Sequence, residues 1–454
     1  MPAHFAEHAW LSEGFAARVR IDVAPSGVLT SAHAAAAENG AERLGRYVIP
    51  GMPNLHSHAF QRAMAGLAER QSNPDDSFWT WREVMYAFAG RVGPDELRAI
   101  AAQLYVEMLK AGYTQVCEFH YLHHRPDGGP YDDPAAMSLA LIEAAREAGI
   151  GLTLMPTLYM AGGFDGRPLS ERQRRFRYDV DGFLALLDRL RREESASVRI
   201  GIALHSLRAV PEAAMRSVIE APVARERPIH IHVAEQIGEV QDCLAIRNAR
   251  PVEWLLDHAP VDARWCLVHA THLSESETAR LAKSGAVAGL CPTTEANLGD
   301  GLFPLKAYLD AGGRIGIGSD SHISVSVVEE LRWLEYGQRL ATRRRNVSAS
   351  RSSPNTGDTL FRHALAGGAQ ASGASVGALK EGVRADFVVL DDASPWLAGR
   401  EAADLPDTFV FAGNANLVRD VFVGGERVVG GFRHRDEDRI ATRYREVVSR
   451  LARS

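Results

Sequence analysis

Short apolar runs along the chain alternate with stretches of mixed polarity. Seven of these runs, all beyond residue 112, are almost continuously apolar. Such runs are typical of strands in a parallel sheet that is covered on both faces. They predict strands at Tyr113–Phe119, Gly151–Leu158, Val198–His205, Pro228–Glu235, Trp265–Ala270, Ala286–Cys291 and Arg314–Asp320. An eighth strand, Tyr47–His58, is predicted ahead of them.

The stretches between these strands have the apolar spacing of amphipathic helices. They predict helical segments at Asp133–Glu147, Val180–Arg192, Glu212–Ile219, Val252–His258, Ser274–Lys283, Leu305–Leu309, Val325–Ala341 and Thr359–Ala371. Eight strands that alternate with helices predict an α/β fold, a closed (β/α)8 TIM-like barrel over residues 47–375. An open doubly wound sheet is the alternative, but it normally carries a G-x-G-x-x-G motif after its first strand. That motif is absent from this sequence, and GIGSD at Gly316 ends a strand instead of opening a helix.

Both ends of the chain are strand-like and rich in glycine turns. Residues 1–46 precede the barrel, and residues 376–454 carry ADFVVLDD at Ala385–Asp392 and the hairpin-like VRDVFVGGERVV at Val418–Val429. We expect the two ends to pair as one small β-sandwich-like domain, followed by a terminal helix. The stretch Arg343–Gly357 has no periodicity and predicts a mobile surface loop.

The composition is that of an ordinary globular protein. The 454 residues are 46% apolar, and 51 Lys and Arg against 57 Asp and Glu give a net charge of −6. These values exclude a disordered chain and a coiled coil, and they give no basic surplus for nucleic acid. No run reaches the roughly 18 apolar residues that span a bilayer, and no secretory signal is visible at the start. Four separated cysteines, at positions 117, 243, 266 and 291, predict buried reduced thiols in a cytoplasmic protein.

Histidines and carboxylates fall at the carboxyl ends of four predicted strands, the face where barrel enzymes build their sites. These residues are His56 and His58 on the first strand, His230, His232 and Glu235 on the fifth, His269 on the sixth and Asp320 on the eighth. Side chains two apart on a strand point to the same face, so one pair of imidazoles can reach one metal ion. Three imidazoles and a carboxylate suit Zn²⁺ and leave a position for water, and Fe²⁺ can use the same donors.

The motifs PGMPNLHSH, HIHVAE, LVHATH, GIGSDSH and GALKEGVRADFVVLD resemble the amidohydrolase superfamily over nearly the whole chain. The order H-x-H, H-x-x-E, His, Asp resembles its deaminase branch. The predicted fourth strand ends IALHSLR, without the lysine that bridges two metals in dinuclear members, so the resemblance implies one metal ion.

The resemblance also implies a role for each residue of this group. His56, His58, His232 and Asp320 would hold the metal ion, and His230 would lie deeper as a hydrogen-bonded core residue. Asp320 would also accept the proton of the attacking water, and Glu235 would carry protons to the leaving nitrogen. His269 would hydrogen-bond the attacking hydroxide or orient the substrate, with a fifth metal ligand as the alternative.

The segments PNLHSHAFQRAMAGL, DSFWTWRE, EFHYLHH, HSLRAV and LCPTTEANLGDG are similar to the family of this branch that hydrolyses N-formimino-L-glutamate to N-formyl-L-glutamate and ammonia in histidine degradation. The substrate is a dicarboxylate, which needs cationic and polar donors. The residues implied are Arg208, the strongest candidate, with His205, Tyr121, Gln61 and Arg82. A solvated arginine or a packed tyrosine is the structural alternative for each. A homodimer is the expected assembly, with no nucleic-acid or membrane partner.

Other polar and aromatic residues near these motifs are predicted to support or surround the site. We expect His120, His123 and His124 to support the site or lie on the surface. His322, two residues after Asp320, is a candidate for the pocket rim. Thr294, Glu295 and Asn297 form a predicted loop that either caps the substrate or is only structural. Trp79 and Trp81 are predicted to pack as a lid over the pocket, with a purely core role as the alternative.

Two other functions remain open from the sequence. One is a deaminase of the same branch that acts on a purine, a pyrimidine or a triazine, and it differs only in the pocket. The other is a barrel that has lost catalysis and serves as a scaffold. A scaffold is expected to lose metal donors or the proton carrier, whereas all six such residues are present here.

Overall fold

The structure, a computed structural model, describes residues 3–70 and 78–453. Its strands are β1 (Ala3–Leu11), β2 (Gly14–Val23), β3 (Leu29–His33), β4 (Glu42–Pro50), β5 (Met52–Ser57), β6 (Tyr113–His120), β7 (Gly151–Leu158), β8 (Val198–Ile200), β9 (Ile202–Ser206), β10 (Ile229–Val233), β11 (Trp265–His269), β12 (Val287–Leu290), β13 (Arg314–Ile317), β14 (Phe387–Leu390), β15 (Val418–Val423), β16 (Glu426–Gly430) and β17 (Arg433–His434). Its α-helices are α1 (Phe78–Ala89), α2 (Pro94–Lys110), α3 (Ala136–Ala148), α4 (Val180–Leu190), α5 (Glu212–Glu220), α6 (Ile237–Arg247), α7 (Pro251–His258), α8 (Glu275–Ser284), α9 (Pro292–Leu298), α10 (Leu305–Asp310), α11 (Val327–Thr342), α12 (Thr356–Ser372), α13 (Leu405–Phe411) and α14 (Glu437–Leu451).

The central sheet is parallel and follows the order β5-β6-β7-β9-β10-β11-β12-β13. The short strand β8 pairs with β7 just before β9, so β8 and β9 are one strand interrupted at Gly201. Beyond β13, Asp320 N donates to His56 O at 3.0 Å, and His58 N donates to Asp320 O at 3.1 Å. These two bonds join the last strand to the first, which confirms the predicted TIM-like barrel.

The second sheet is built from both ends of the chain. Its order is β17-β16-β15-β14-β4-β1-β2-β3, antiparallel except for the pair β1 and β4. Phe387 and Phe422 stack at 4.4 Å within its apolar core, which is separate from the main core of the barrel. The predicted pairing of the two chain ends is therefore confirmed.

The predicted strand Tyr47–His58 is wrong as a single element. Residues up to Pro50 pair with β14 in the second sheet, and residues from Met52 pair with β6 in the barrel. The chain changes sheets at Gly51, where a Cβ atom would lie 2.3 Å from the side chain of Thr114. The division of the chain after residues 46 and 375 stays a prediction, and this crossing favours moving the first boundary to Gly51.

Helices α1, α2, α6, α9 and α13 were not predicted. Helix α2 shows why, because it packs against both α3 and α14 and buries residues around most of its circumference. Its apolar positions therefore do not form the single stripe that a one-sided helix shows.

The predicted loop 343–357 is shorter than expected, since α12 begins at Thr356. Part of this loop is also packed against the protein, because Ser348 is buried and its N donates to Glu335 at 3.0 Å.

The four cysteines are buried free thiols, as predicted. Burial raises the pKa of each of them, which keeps the thiols protonated at neutral pH. Among residues 3–70 and 78–453, no helix combines the length and apolar character needed to cross a bilayer.

Candidate active site

Three imidazole nitrogens and one carboxylate oxygen converge at the mouth of the barrel. The Nε2 atom of His56 lies 3.2 Å from Nε2 of His58 and 3.1 Å from Nε2 of His232. Oδ1 of Asp320 lies 3.4 Å from Nε2 of both His56 and His58. The structure therefore brings together the four residues that the sequence assigned to a metal ion.

The hydrogen bonds behind these rings show that the group fits a cation. Nδ1 of His58 lies 2.8 Å from Phe119 O, and Nδ1 of His232 lies 3.0 Å from His205 O. A carbonyl oxygen only accepts, so each Nδ1 carries the proton and each Nε2 presents a lone pair. Burial lowers the pKa of both rings, which keeps them neutral. Two lone pairs beside the carboxylate of Asp320 are stabilised by a cation between them.

The backbone around these donors is unusually tight. A Cβ atom on Gly318 would lie 2.8 Å from Cβ of His56 and 2.9 Å from its backbone N, so only glycine allows β13 to approach β5 this closely. Several residues that follow strand ends at the mouth have a positive φ although they are not glycine: Ala234, His269, Ala270, Asp320 and His322. Such strain is common where side chains are held for function.

Glu118 on β6 holds the segment that carries His56 and His58. Its Oε1 accepts from Ala59 N at 2.6 Å, and its Oε2 accepts from Ser57 Oγ at 2.5 Å and from Tyr105 Oη at 3.2 Å. Burial raises the pKa of Glu118 to about 7, although these three donors act in the opposite direction. Sequence reasoning missed this residue, because its partners lie about 60 positions earlier in the chain or on α2.

Glu235 and His269 lie beside the four donors. Nε2 of His269 lies 3.7 Å from Oε1 of Glu235 and 3.9 Å from Oδ2 of Asp320. Burial raises the pKa of Glu235, so this carboxyl holds a proton more readily than an exposed one. Burial alone would lower the pKa of His269, but the carboxylates of Glu235, Glu295 and Asp320 outweigh it and raise the pKa to about 10.

Glu239, which sequence reasoning missed, fixes the turn that presents Glu235. It lies in the first turn of α6 and accepts from Ala234 N at 3.1 Å and from Glu235 N at 3.2 Å. Ala234 has φ of +52°, so these bonds hold a backbone conformation that is uncommon for alanine. The i+4 spacing of the two glutamates was the available signal, and it is shared by many surface helices.

The five predicted substrate residues line one cavity above these donors. Arg208, His205, Tyr121, Gln61 and Arg82 contribute to its walls, together with His58, His232, Glu235, His269 and Asp320. Gln61 Nε2 donates to Tyr121 Oη at 3.0 Å, and Gln61 Oε1 is buried with no hydrogen-bond partner among the described residues. The arrangement places two guanidinium groups and a free acceptor in the same cavity as the proposed metal donors.

Aromatic residues that were not predicted form much of the cavity wall. They are Tyr86, Tyr159 and Phe176, joined by Trp81, which was expected to lie in a lid. Gln173 Nε2 donates to Tyr159 Oη at 2.9 Å and to Tyr86 Oη at 3.3 Å, so one amide holds both rings. The side chain of Trp79 lies outside the described residues.

Several histidines lie away from the cavity. Nε2 of His230 faces Ala371 O at 2.9 Å, so this ring is a core residue, as predicted. His322 is not on the pocket rim, because its ring is buried under β5 between Ser57 Oγ at 3.2 Å and Ser319 Oγ at 3.0 Å. His120 and His123 are buried and meet edge to face with ring centroids 5.1 Å apart, and Nε2 of His124 lies beside Arg177 O. None of these three lines the cavity.

The predicted loop at Thr294, Glu295 and Asn297 is the short helix α9, and Leu298 is its residue that lines the cavity. Thr294 Oγ1 accepts from Ser321 N at 3.2 Å, next to Asp320. Oε1 of Glu295 lies 3.3 Å from Nδ1 of His269, and Asn297 bonds Glu69 on the surface. These residues therefore support the site or the surface and do not cover the cavity.

Comparison with known proteins agrees with this geometry. The sequence profile of the Amidohydrolase family matches residues 47–428. The formimidoylglutamate deiminase of Pseudomonas aeruginosa is 55% identical over 452 residues, which are 99% of this chain and 100% of that protein. A 5-methylthioadenosine/S-adenosylhomocysteine deaminase of Natronomonas pharaonis is 27% identical, over 88% of this chain and 86% of its own length. The crystal structure of an amidohydrolase from Brucella melitensis matches all of both chains with a TM-score of 0.94 and 46% identity.

The profile match spans most of the chain and includes every residue of the converging group, and the Brucella melitensis amidohydrolase has the same overall fold. The resemblance seen in the sequence motifs is therefore confirmed. This chain belongs to the amidohydrolase family.

Proposed function

We propose that this protein hydrolyses the formimino group of N-formimino-L-glutamate, giving N-formyl-L-glutamate and ammonia, with one Zn²⁺ ion. The observation that carries this proposal is the 55% identity to a formimidoylglutamate deiminase over the full length of both chains. The cavity supports it, because it combines arginines with acidic and imidazole groups in one place.

The metal would be held by Nε2 of His56, His58 and His232 and by the carboxylate of Asp320. The amidohydrolase family is metal-dependent, and this set of borderline nitrogen and oxygen donors favours Zn²⁺. When bound, such an ion supplies hydroxide at neutral pH, because it lowers the pKa of water from about 15.7 towards about 7.

The charges of the cavity favour one orientation of the substrate. Arg208 and Arg82 would bind its carboxylates, because guanidinium groups form strong paired hydrogen bonds with carboxylate oxygens. Glu235 lies beside the proposed metal donors, where its carboxyl would hydrogen-bond a nitrogen of the formimino group. The formimino carbon would then face the proposed metal position, and Gln61 Oε1 would accept from a substrate N–H.

The side chains around the formimino carbon would manage the protons of the reaction. Hydroxide adds to this carbon, and a C–O bond forms while the C=N bond becomes single. Asp320 accepts a proton from the attacking water, and Glu235 carries protons to the terminal nitrogen. The C–N bond then breaks and ammonia leaves instead of an amide anion, while the added hydroxyl would lose its proton to the carboxylate of Asp320 or Glu235 and become the formyl C=O. His269 Nε2 faces the same space and would hydrogen-bond the oxygen that adds.

A second candidate is a deaminase of a nucleoside or another heteroaromatic ring. The aromatic wall of Trp81, Tyr86, Tyr159 and Phe176 and the relative from Natronomonas pharaonis favour it. Against it, Arg82 and Arg208 give the same cavity two cations, which a neutral ring does not need. A scaffold without catalysis is disfavoured, since the four proposed metal ligands, Glu235 and His269 all converge at the barrel mouth.

The experiment is a substrate panel. Purified protein loaded with zinc is incubated with N-formimino-L-glutamate, adenosine, S-adenosylhomocysteine, cytosine or an aminotriazine, and ammonia is measured, with N-formyl-L-glutamate identified by mass spectrometry. Ammonia and N-formyl-L-glutamate in equal amounts are expected from the first substrate. Turnover of a ring substrate and not of N-formimino-L-glutamate would refute the proposed substrate. The Glu235→Gln variant, prepared in the same way, controls for contaminating enzymes.

The identity of the ion and the role of each named residue are part of this proposal. We also retain a homodimer and a cytoplasmic location as predictions. Size-exclusion chromatography with light scattering tests the first, and fractionation of the source cells tests the second.

A further inference from the structure

Both ring nitrogens of His269 face carboxylate oxygens. Nδ1 lies 3.3 Å from Oε1 of Glu295, whereas Nε2 lies 3.7 Å from Oε1 of Glu235 and 3.9 Å from Oδ2 of Asp320. The ring is 1% exposed, and its backbone φ is +66°. Glu295 is thus the partner on the side of the ring that faces away from the proposed reaction.

Glu295 is itself held in place by its helix. The side chain is buried, and its Oε1 also accepts from Cys291 N at 2.8 Å. The start of α9 is fixed in turn by the buried Glu330, which accepts from N and Oγ1 of Thr293 at 3.0 and 2.6 Å. Helix α9 therefore presents one carboxylate oxygen to His269 from a fixed direction.

We propose that Glu295 is a positioning residue, which holds the Nδ1–H of His269 and thereby aims Nε2 at the space between Glu235 and Asp320. This inference rests on the hydrolytic function proposed above. A carboxylate behind a histidine fixes the orientation and tautomer of the ring in other hydrolases and metal sites. Glu295 does not line the substrate cavity, so its effect belongs to the chemical step and not to substrate capture.

Two other roles of Glu295 make different predictions. It could act only as a cap of α9 through Cys291 N, in which case any residue that caps equally well suffices. It could also share a second metal ion with His269 and Cys291, since one donor atom from each lies within 4.8 Å of the others. The first role does not require His269, and the second requires an additional bound metal ion.

The test is a double-mutant cycle of Glu295→Gln with His269→Ala, assayed on N-formimino-L-glutamate. Glutamine keeps an acceptor for Cys291 N, so the cap remains, but it loses the charge that strengthens the bond to His269. We expect kcat to fall roughly 10-fold in the wild-type background, with KM within about twofold. In the His269→Ala background, the same substitution should change kcat by less than about twofold, because its partner is gone. Glu295→Met, which removes the acceptor as well, should cost roughly 100-fold in kcat if it folds.

The matched control is Glu330→Gln, which changes another buried carboxylate, on α11, that bonds the start of α9 without touching His269. Its kcat should stay within about threefold of the wild-type value, with any cost confined to the melting temperature. The inference is overturned if Glu295→Gln keeps wild-type kcat, if it costs the same factor without His269, or if Glu330→Gln costs as much. A second equivalent of metal that Glu295→Gln removes would also overturn it.

The wild-type assay separates the two proposals. Wild-type protein that does not hydrolyse N-formimino-L-glutamate but deaminates a ring refutes the proposed substrate, and the cycle is then measured on that ring. Additive losses there would refute the role of Glu295 independently.

Discussion

His230 and His232 lie two residues apart on β10 and are both buried, yet their rings have different partners. His230 bonds the backbone oxygen of Ala371, inside the barrel. His232 also bonds a backbone oxygen through Nδ1, but its Nε2 faces Nε2 of His56 at 3.1 Å. The barrel interior therefore satisfies one imidazole with a carbonyl, while the barrel mouth collects several imidazoles whose lone pairs face one another.

This difference shows that the partners of a histidine, and not its type or burial, determine what it can do. Burial lowers the pKa of both rings, so neither carries a charge at neutral pH. A neutral ring with its proton committed to a carbonyl offers one lone pair to a metal ion. Among the described residues, such lone pairs converge with a carboxylate at the barrel mouth.

Substitution of His232 is expected to have the largest effect on the difference between the barrel mouth and the barrel interior. We expect His232→Ala to lose its bound metal ion and to reduce kcat/KM by about 1000-fold or more, because the ion supplies hydroxide. Metal content by mass spectrometry and the ammonia assay measure both effects. The matched variant His230→Gln, which keeps a donor for Ala371 O, should bind metal normally and keep kcat/KM within about threefold. Equal losses in the two variants would contradict the distinction between mouth and interior.

Glu235→Gln distinguishes two roles among the residues at the barrel mouth, because it should remove proton transfer and leave metal binding intact. The amide cannot carry protons to the leaving nitrogen, so we expect kcat to fall by about 100-fold to 10,000-fold. Metal content should equal that of the wild-type protein, since Glu235 is not among the proposed ligands. Wild-type turnover in this variant would remove Glu235 from the mechanism.

Arg208→Met tests the substrate end of the cavity. Loss of one charged hydrogen-bonding partner should lower kcat/KM by about 10-fold to 100-fold, mainly through a higher KM. Arg247→Met is the control, since Arg247 Nη2 donates to Leu207 O at 2.9 Å beside Arg208 but does not line the cavity. An unchanged kcat/KM in Arg208→Met would show that the anion-binding position is misassigned.

The pH dependence of stability tests whether a buried histidine such as His123 stays neutral in the folded protein. Burial lowers its pKa from 6.5 to about 3, and its Nε2 faces Thr157 O at 2.9 Å. The unfolded chain therefore takes up a proton here as the pH falls below 6.5, while the folded protein does not. The neutral His123 therefore contributes fully to the free energy of unfolding above pH 6.5. This contribution is lost as the pH falls toward 3, by at most about 1.4 kcal/mol per pH unit.

His123→Gln keeps a donor for Thr157 O but cannot take up this proton. Between pH 6.5 and pH 4, its free energy of unfolding should therefore fall less steeply than that of the wild-type protein. Urea denaturation at a series of pH values measures the slope, and His33→Gln, on the exposed surface, is the control. Parallel slopes for wild type and His123→Gln would contradict this assignment.

Much of the barrel could be predicted because its strands are continuously apolar and end in polar residues. The run Gly151–Leu158 is a strand with the predicted bounds, and the period of two placed His56 beside His58. The crossing at Gly51 could not be predicted in the same way, because the apolar end of β4, Tyr47–Pro50, is separated from the buried strand β5 by only one residue. Only the pairing partners, which are remote in sequence, show that they belong to different sheets.

The converging group could be predicted because its residues lie at strand ends, whereas the position of Glu295 and the aromatic wall of the cavity could not. Glu295 was expected in a loop because α9 has only seven residues, too few for a helical pattern. Tyr86, Tyr159 and Phe176 come from three separate segments with no shared spacing, so nothing local indicates that they form one wall. Glu118 does not line the cavity, and its support of the site is recognised only from its hydrogen bonds.

The most direct test of the central claim is an anomalous difference map at the zinc absorption edge, from crystals of the protein loaded with zinc. We expect one strong peak per chain, within bonding distance of Nε2 of His56, His58 and His232 and of the carboxylate of Asp320. No peak at the barrel mouth, or a single peak among His269, Cys291 and Glu295 instead, would contradict the account.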